Sequence, residues 1–211
     1  MIPITPGLIT KWTWIIFVLY WVVAALRRKK TKRSETAVQR MGYILLILAA
    51  AMLLSSSGVR PAVLMTRLYP DSLEVRWAGA FLVLAGTLLA FWARYHLGSN
   101  WSGTVTLKEG HELVRSGPYR TIRHPIYTGI LVSILGTVMQ VGQLRALLAF
   151  VLVWLSLYIK ASREESFLTA EFGANFDAVR RSTVGERFGK NYCAVVFVSV
   201  GAADFSFACS V

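Results

Sequence analysis

The sequence predicts an all-α, polytopic integral membrane protein. About five transmembrane helices are expected, ending in a C-terminal helical hairpin flanked by the segments of a candidate cofactor site. Three observations carry this. Only 16% of the 211 residues are charged and 55% are hydrophobic, whereas a soluble domain carries about 25% charged residues. Mean hydropathy is +0.52, and the apolar residues come in long blocks. The basic residues gather at the ends of those blocks, as they do in chains oriented by positive-inside bias.

Five apolar blocks appear in order: 8–26, 41–59, 75–95, 126–142 and 144–160. A helix crossing the hydrocarbon needs about 20 residues, within a range of about 17–25. The first three blocks qualify directly. The last two are parted only by Gly142-Gln143 and read as a tight hairpin. The first block runs straight into RRKKTKR rather than a small-residue cleavage site, so it reads as a membrane helix and not a removable signal. Residues 1–97 form a three-span N-terminal part, 98–183 a catalytic region around the hairpin, and 184–211 an atypical tail.

Net charge is +12. In a soluble chain this would suggest nucleic acid as a partner; here its distribution assigns it to topology, and the expected partner is the bilayer. Segments 27–40, 94–125 and 160–190 hold the larger share of Lys and Arg. Lys11, Arg60, Arg67, Arg76 and Arg145 make up the remainder on the opposite side. The three rich segments are therefore expected in the cytoplasm. Trp12, Trp14, Trp21, Trp77, Trp92 and Trp101 read as interfacial belt residues. Gly79 and Gly86, like Gly129 and Gly136, sit at helical spacing and suit close helix packing. Cys193 and Cys209 form neither a CxxC pair nor a metal-ligand spacing, and the three histidines show no HxxxH or HExxH pattern, so no metal site is expected.

The stretch HELVRSGPYRTIRHPIYTG, residues 111–129, interrupts this apolar chain with basic groups, rings, prolines and glycines. Pro118 and Pro125 hold Gly117 and His124 out of helix. Gly117-Pro118-Tyr119-Arg120 then reads as a fixed turn, and Pro125 as the first residue of the next helix, where its missing N–H costs nothing. A hairpin whose arms each rise about 26 Å returns to the side it left. His124 and the Glu164-Glu165 pair, forty residues apart, thereby become neighbours. His111, Arg120, Arg123 and His124 offer donors and positive charge; Glu164 and Glu165 offer acceptors. Each alone has a bland reading, an arginine snorkelling to phosphate or a solvated helix end. Their combination at one end of one hairpin suits a cofactor with a charged polar part and a flat base.

At these residues the chain resembles the isoprenylcysteine carboxyl methyltransferase family and its relatives among phospholipid methyltransferases. The likeness covers about residues 98–176, through LGSNWSG, GPYR, RHPIYTG and REESFLTAEFG. It implies a membrane enzyme that uses S-adenosyl-L-methionine, with the cofactor on the cytoplasmic side. Carried onto this chain, the likeness implies a cofactor pocket of His111, Leu113, Val114, Gly117, Pro118, Tyr119, Arg120, His124, Pro125, Tyr127 and Glu164. Glu165 would lie near the reacting centre, and Arg123 would orient an acceptor carboxylate by bidentate bonding. The acceptor implied is lipophilic or prenylated. The chain departs from the family after FG, where Phe176 and Val179 replace two tyrosines, and in a tail with no proline after Pro125. A divergent or frame-shifted end is the expected explanation.

Two other readings compete. One is N-methylation of an ethanolamine phospholipid headgroup, which shares the cofactor half. The other is a non-enzymatic membrane scaffold. A ligand that binds only the folded state must raise its melting temperature, so a chain unmoved by S-adenosylmethionine or S-adenosylhomocysteine would favour the scaffold.

The charge distribution generates the first prediction. In a background lacking Cys193 and Cys209, single cysteines at Ser34, Ser116 and Ser162 should all react only from the cytoplasmic side. Labelling of any one from outside contradicts the topology.

Overall fold

The computed structural model describes residues 4–26, 31–34, 36–55, 61–98, 106–108, 114–174 and 176. Five α-helices organise them: α1 (Pro6–Leu26), α2 (Ala37–Leu54), α3 (Leu73–Leu97), α4 (Pro125–Val141) and α5 (Leu144–Phe172). The protein is all-α and polytopic, as expected. Local chemistry sets the starts. Thr5 accepts from the Leu8 N–H ahead of α1. Thr36 and Gln39 form a reciprocal capping box that starts α2 four residues before the apolar block begins. Ser72 caps α3 through the Val75 N–H.

One expectation is corrected, the end of the hairpin's second arm. Among the described residues four helices are long and apolar enough to cross a membrane, and α4, the shorter apolar fifth, has 17 residues, at the lower limit. That limit matters little, because α4 is the enclosed centre: nine of its 17 residues are buried, against two of 18 in α2. The second arm of the hairpin does not end at residue 160. It runs 29 residues to Phe172, about 43 Å, and so carries Glu164 and Glu165 inside a helix rather than at its frayed end.

Helix α3 meets α4 backbone to backbone. A Cβ on Gly86 would lie 2.4 Å from the Gly129 carbonyl oxygen, and one on Gly129 would lie 2.5 Å from that of Gly86. Gly79 and Gly136 repeat the arrangement two turns away, at 2.6 and 2.4 Å. Between the pairs, Ser133 Oγ donates to Val83 O (3.2 Å) and lies 3.2 Å from Thr87 Oγ1. Small residues and shared hydroxyls are how helices associate where lipid removes the hydrophobic drive.

The other helices attach around this pair. Trp14 Nε1 of α1 donates to Thr137 Oγ1 of α4 (3.0 Å), and Trp21 stacks on Phe17 and Phe91. Both tryptophans are thus packing residues, whereas Trp12, Trp77 and Trp92 keep the exposure of belt residues; Trp101 lies outside the described residues. On the far side, Ser156 Oγ of α5 donates to Tyr43 O of α2 (3.0 Å). Arg145 Nη1 donates to Leu53 O and Leu54 O, closing the C-terminal end of α2.

The connections sort to two ends. At one end the loop before α3 clasps the hairpin turn through Leu68 N–H to Gly142 O and Leu144 N–H to Thr66 O, at 2.9 and 3.0 Å. Tyr69 donates its hydroxyl to Met139 O at the end of α4. At the other end two short strands not foreseen from the sequence, β1 (Thr31–Ser34) and β2 (Thr106–Lys108), pair antiparallel. This ribbon joins the α1–α2 connection to the segment leading into the candidate site.

The glycine contacts predict an asymmetric response to adding one methyl group. Gly86→Ala should destabilise the fold by about 1–3 kcal/mol, the cost of overpacking a close contact. Gly42→Ala on α2, where a Cβ meets nothing within 4 Å, should be neutral or gain up to about 1 kcal/mol from helix propensity. Thermal unfolding of both variants in detergent checks this; equal losses would refute it.

Candidate active site

The site forms where the ribbon end of the bundle brings three segments together. Gly117–Arg120 is a 3-10 turn with Pro118 buried. Gly117 has φ +56°, and a Cβ there would sit 2.5 Å from the His96 ring. Glycine is needed on both counts. His96 packs its ring against this turn while its Nδ1 contacts Trp92 O (3.0 Å). His124 is the N-cap of α4 and Pro125 its first residue, as the proline spacing predicts. Lys160 of α5 lies over the ring of Tyr127, in the first turn of α4. One more turn, about 6 Å, brings Glu164 and Glu165 against Arg123 and His124.

The two glutamates differ. Glu165 is buried, its side chain 9% exposed. Arg123 Nη1 donates to both of its oxygens, at 3.1 and 3.3 Å, and His124 Nε2 donates to Oε1 at 3.0 Å. Glu164 accepts one bond, from the Tyr127 hydroxyl to Oε1 at 2.6 Å. Its Oε2 lies 3.8 Å from His124 Nδ1, beyond hydrogen-bond reach, and takes no hydrogen bond among the described residues. The Glu164 side chain is 25% exposed. Glu165 closes a buried frame, and Glu164 stays partly exposed.

Rings line the approach. His124 and Tyr127 stack with centroids 5.4 Å apart and planes 6° from parallel. Tyr119 packs with Tyr127 and Trp21 against Ala24, Ala93 and Ile126. Burial pushes the Tyr119 phenol up from its ordinary value, the charge of Glu164 pushes it further, and Arg94 opposes them. Tyr119 therefore stays a neutral hydroxyl. Arg94 itself is buried beside this cluster and donates to Gly98 O (2.7 Å). Sequence reasoning passed over Arg94 and Lys160; a cation at the last turn of one apolar helix and another four residues before Glu164 were the available signals.

Among the residues expected at the site, Gly117, Pro118, Tyr119, Arg123, His124, Pro125, Tyr127, Glu164 and Glu165 come together. Val114 is half-buried at the start of the segment, and Arg120 is exposed. His111 and Leu113 lie outside the described residues, as do Val179, both cysteines and the tail 184–211. Phe176, in a position where the family commonly has tyrosine, is buried.

Comparison with known proteins bears on the same region. Residues 79–170 match the model of the isoprenylcysteine carboxyl methyltransferase family. The chain is 35% identical over 104 residues to the protein-S-isoprenylcysteine O-methyltransferase of Schizosaccharomyces pombe, covering 48% of this chain and 44% of that one. It is 30% identical over 134 residues to protein-S-isoprenylcysteine O-methyltransferase A of Arabidopsis thaliana, covering 61% and 66%. It is 27% identical over 130 residues to the uncharacterized protein YpbQ of Bacillus subtilis, covering 58% and 75%. The chain thus spans less than two thirds of the Schizosaccharomyces pombe enzyme and about two thirds of the Arabidopsis thaliana one.

The unequal glutamates predict unequal costs. Glu165→Gln removes the carboxylate charge from the buried pair with Arg123 and should lose on the order of 3 kcal/mol, since breaking one partner of a buried ion pair costs about 3–5. Glu164→Gln retains an oxygen for Tyr127 and should lose less than about 1 kcal/mol. Denaturation of both variants in mixed micelles measures the difference; equal losses would contradict the geometry.

Proposed function

Over residues 79–170 this chain belongs to the isoprenylcysteine carboxyl methyltransferase family, and we propose that it is an S-adenosylmethionine-dependent membrane enzyme that methylates the carboxylate of a prenylcysteine-like or other lipophilic acceptor. The observation that carries the proposal is the division of labour between Glu165, enclosed by Arg123 and His124, and Glu164, whose Oε2 remains an open acceptor. The basic-residue topology, which puts the ribbon end in the cytoplasm, supports a reaction at that surface.

The residues suit the cofactor. A carboxylate oxygen in reach of solvent complements a cationic polar part, and the half-buried rings of Tyr119, His124 and Tyr127 offer flat surfaces to a base. S-adenosylmethionine, when bound, supplies an electrophilic methyl group: the acceptor oxygen bonds to it as the carbon–sulfur bond breaks and its electron pair passes to sulfur. An ionised carboxylate already carries its nucleophile, so the chain need only orient, enclose and exclude water. Glu164 holds the donor side. Tyr127 fixes Glu164 through its hydroxyl. Arg123 and Glu165 act as positioning residues, since Arg123 gives its Nη1 to Glu165 and holds His124 in place through the same carboxylate.

Two measurements test this. Labelled methyl should pass from S-adenosylmethionine to a prenylcysteine analogue and not to the ethanolamine lipids of a total extract; the reverse would favour headgroup methylation, and neither would favour the scaffold. By calorimetry, His124→Ala and Glu164→Gln should each weaken S-adenosylhomocysteine binding at least about tenfold, or about 1.4 kcal/mol. Trp92→Phe should leave it unchanged. Wild-type binding in both site variants would remove the assignment.

A further inference from the structure

Helix α5 meets α2 along one of its faces. Ser156 Oγ donates to the Tyr43 carbonyl oxygen at 3.0 Å, and the Lys160 ammonium lies 5.9 Å from the centroid of the Tyr43 ring. Arg163 Nη1 donates to the Gln39 carbonyl oxygen. Ser156, Lys160 and Arg163 fall at i, i+4 and i+7, one stripe of a helix. Their partners step back from Tyr43 to Gln39, about one turn of α2. The seam therefore runs past the apolar part of α5 into its polar extension, where Arg163 directly precedes Glu164.

The acceptor at that end of the seam is itself fixed. Gln39 closes the capping box of α2: its side-chain oxygen accepts from the Thr36 N–H at 3.1 Å, and its own N–H donates to Thr36 Oγ1 at 3.3 Å. A carbonyl so held gives a charged donor a defined direction. On α5, successive residues project about 100° apart. Arg163 is turned to α2, and Glu165, two steps round the helix, to Arg123 and His124. Glu164 lies between them and accepts from the Tyr127 hydroxyl.

We propose that Arg163 is a positioning residue for Glu164. By holding the α5 extension to α2, it sets the direction in which the donor-side carboxylate is presented. A single anchor at Glu165 would leave the extension able to pivot about it; a second anchor about 200° round the helix does not. The guanidinium acts through the helix and not on the cofactor. The inference rests on the methyltransferase reading, in which Glu164 holds the donor, and it makes the capping box of α2 part of the support of the site.

The test combines two readouts on the full-length chain in detergent. Arg163→Met keeps side-chain length and helix propensity and removes the donors; Arg163→Lys keeps a charged donor. By calorimetry, Arg163→Met should weaken S-adenosylhomocysteine binding at least about threefold, and Arg163→Lys should recover it to within about twofold. In a Glu164→Gln background the same Arg163→Met change should cost less than about twofold, because residues that act through one another are not additive. Amide hydrogen exchange reads the anchor without the cofactor. Arg163→Met should speed exchange over residues 164–172 about fivefold, as loss of one hydrogen bond would, and leave residues 144–159 unchanged. Unchanged affinity in Arg163→Met, an equal loss in both backgrounds, or unaltered exchange over residues 164–172 overturns the proposal. Where Glu164→Gln binds too weakly to measure, rescue by Arg163→Lys and the exchange comparison decide. Failure of the wild type to bind S-adenosylhomocysteine sinks the methyltransferase reading instead, and the exchange comparison still decides whether Arg163 holds the extension.

Discussion

Glu165 is a carboxylate buried at the end of a membrane hairpin, and it can exist there only because Arg123 and His124 enclose it. Removing such a group from water costs several kcal/mol, which a partner charge and complete hydrogen bonding roughly offset. The pair is thus weak as a source of net stability and strong as a constraint on geometry. It fixes the extension of α5 against the N-cap of α4. That fixes the distance between His124 and Glu164, and with it the open oxygen on which the proposed chemistry depends.

The constraint works because the scaffold beneath it leaves little freedom. Two reciprocal glycine pairs set α3 and α4 at backbone contact, so the Gly117 turn after α3 is delivered to the start of α4. The clasp from Thr66 and Leu68 holds the hairpin turn at the opposite end. With α4 anchored at both ends and enclosed along its length, its modest 17 residues serve as the axis of the site rather than as a lipid-facing span. Tyr43 and Lys160 then connect α2, otherwise the most exposed helix, to the same centre.

Much of this was legible in the sequence, for identifiable reasons. Apolar blocks gave the helices, Pro118 and Pro125 the turn and the helix start, and the hairpin arithmetic brought His124 to the glutamates. The length of α5 was not legible, because REESFLTAEF is polar and helical and hydropathy reports only the apolar part. The difference between Glu164 and Glu165 was equally hidden: adjacent residues on a helix project about 100° apart, and only packing decides which one is enclosed. Arg123 illustrates the same point. Its pairing with Glu165 could not be read from RHP and REE alone. The β1–β2 ribbon carried no alternating pattern long enough to announce it.

The most direct test of the central claim is an experimental structure of the chain with S-adenosylhomocysteine bound. The account predicts the ligand's amino group within about 3 Å of Glu164 Oε2, its base against the rings of Tyr119 and His124, and Glu165 still enclosed by Arg123 and His124. A ligand bound elsewhere, or one held by a Glu165 released from Arg123, would contradict it.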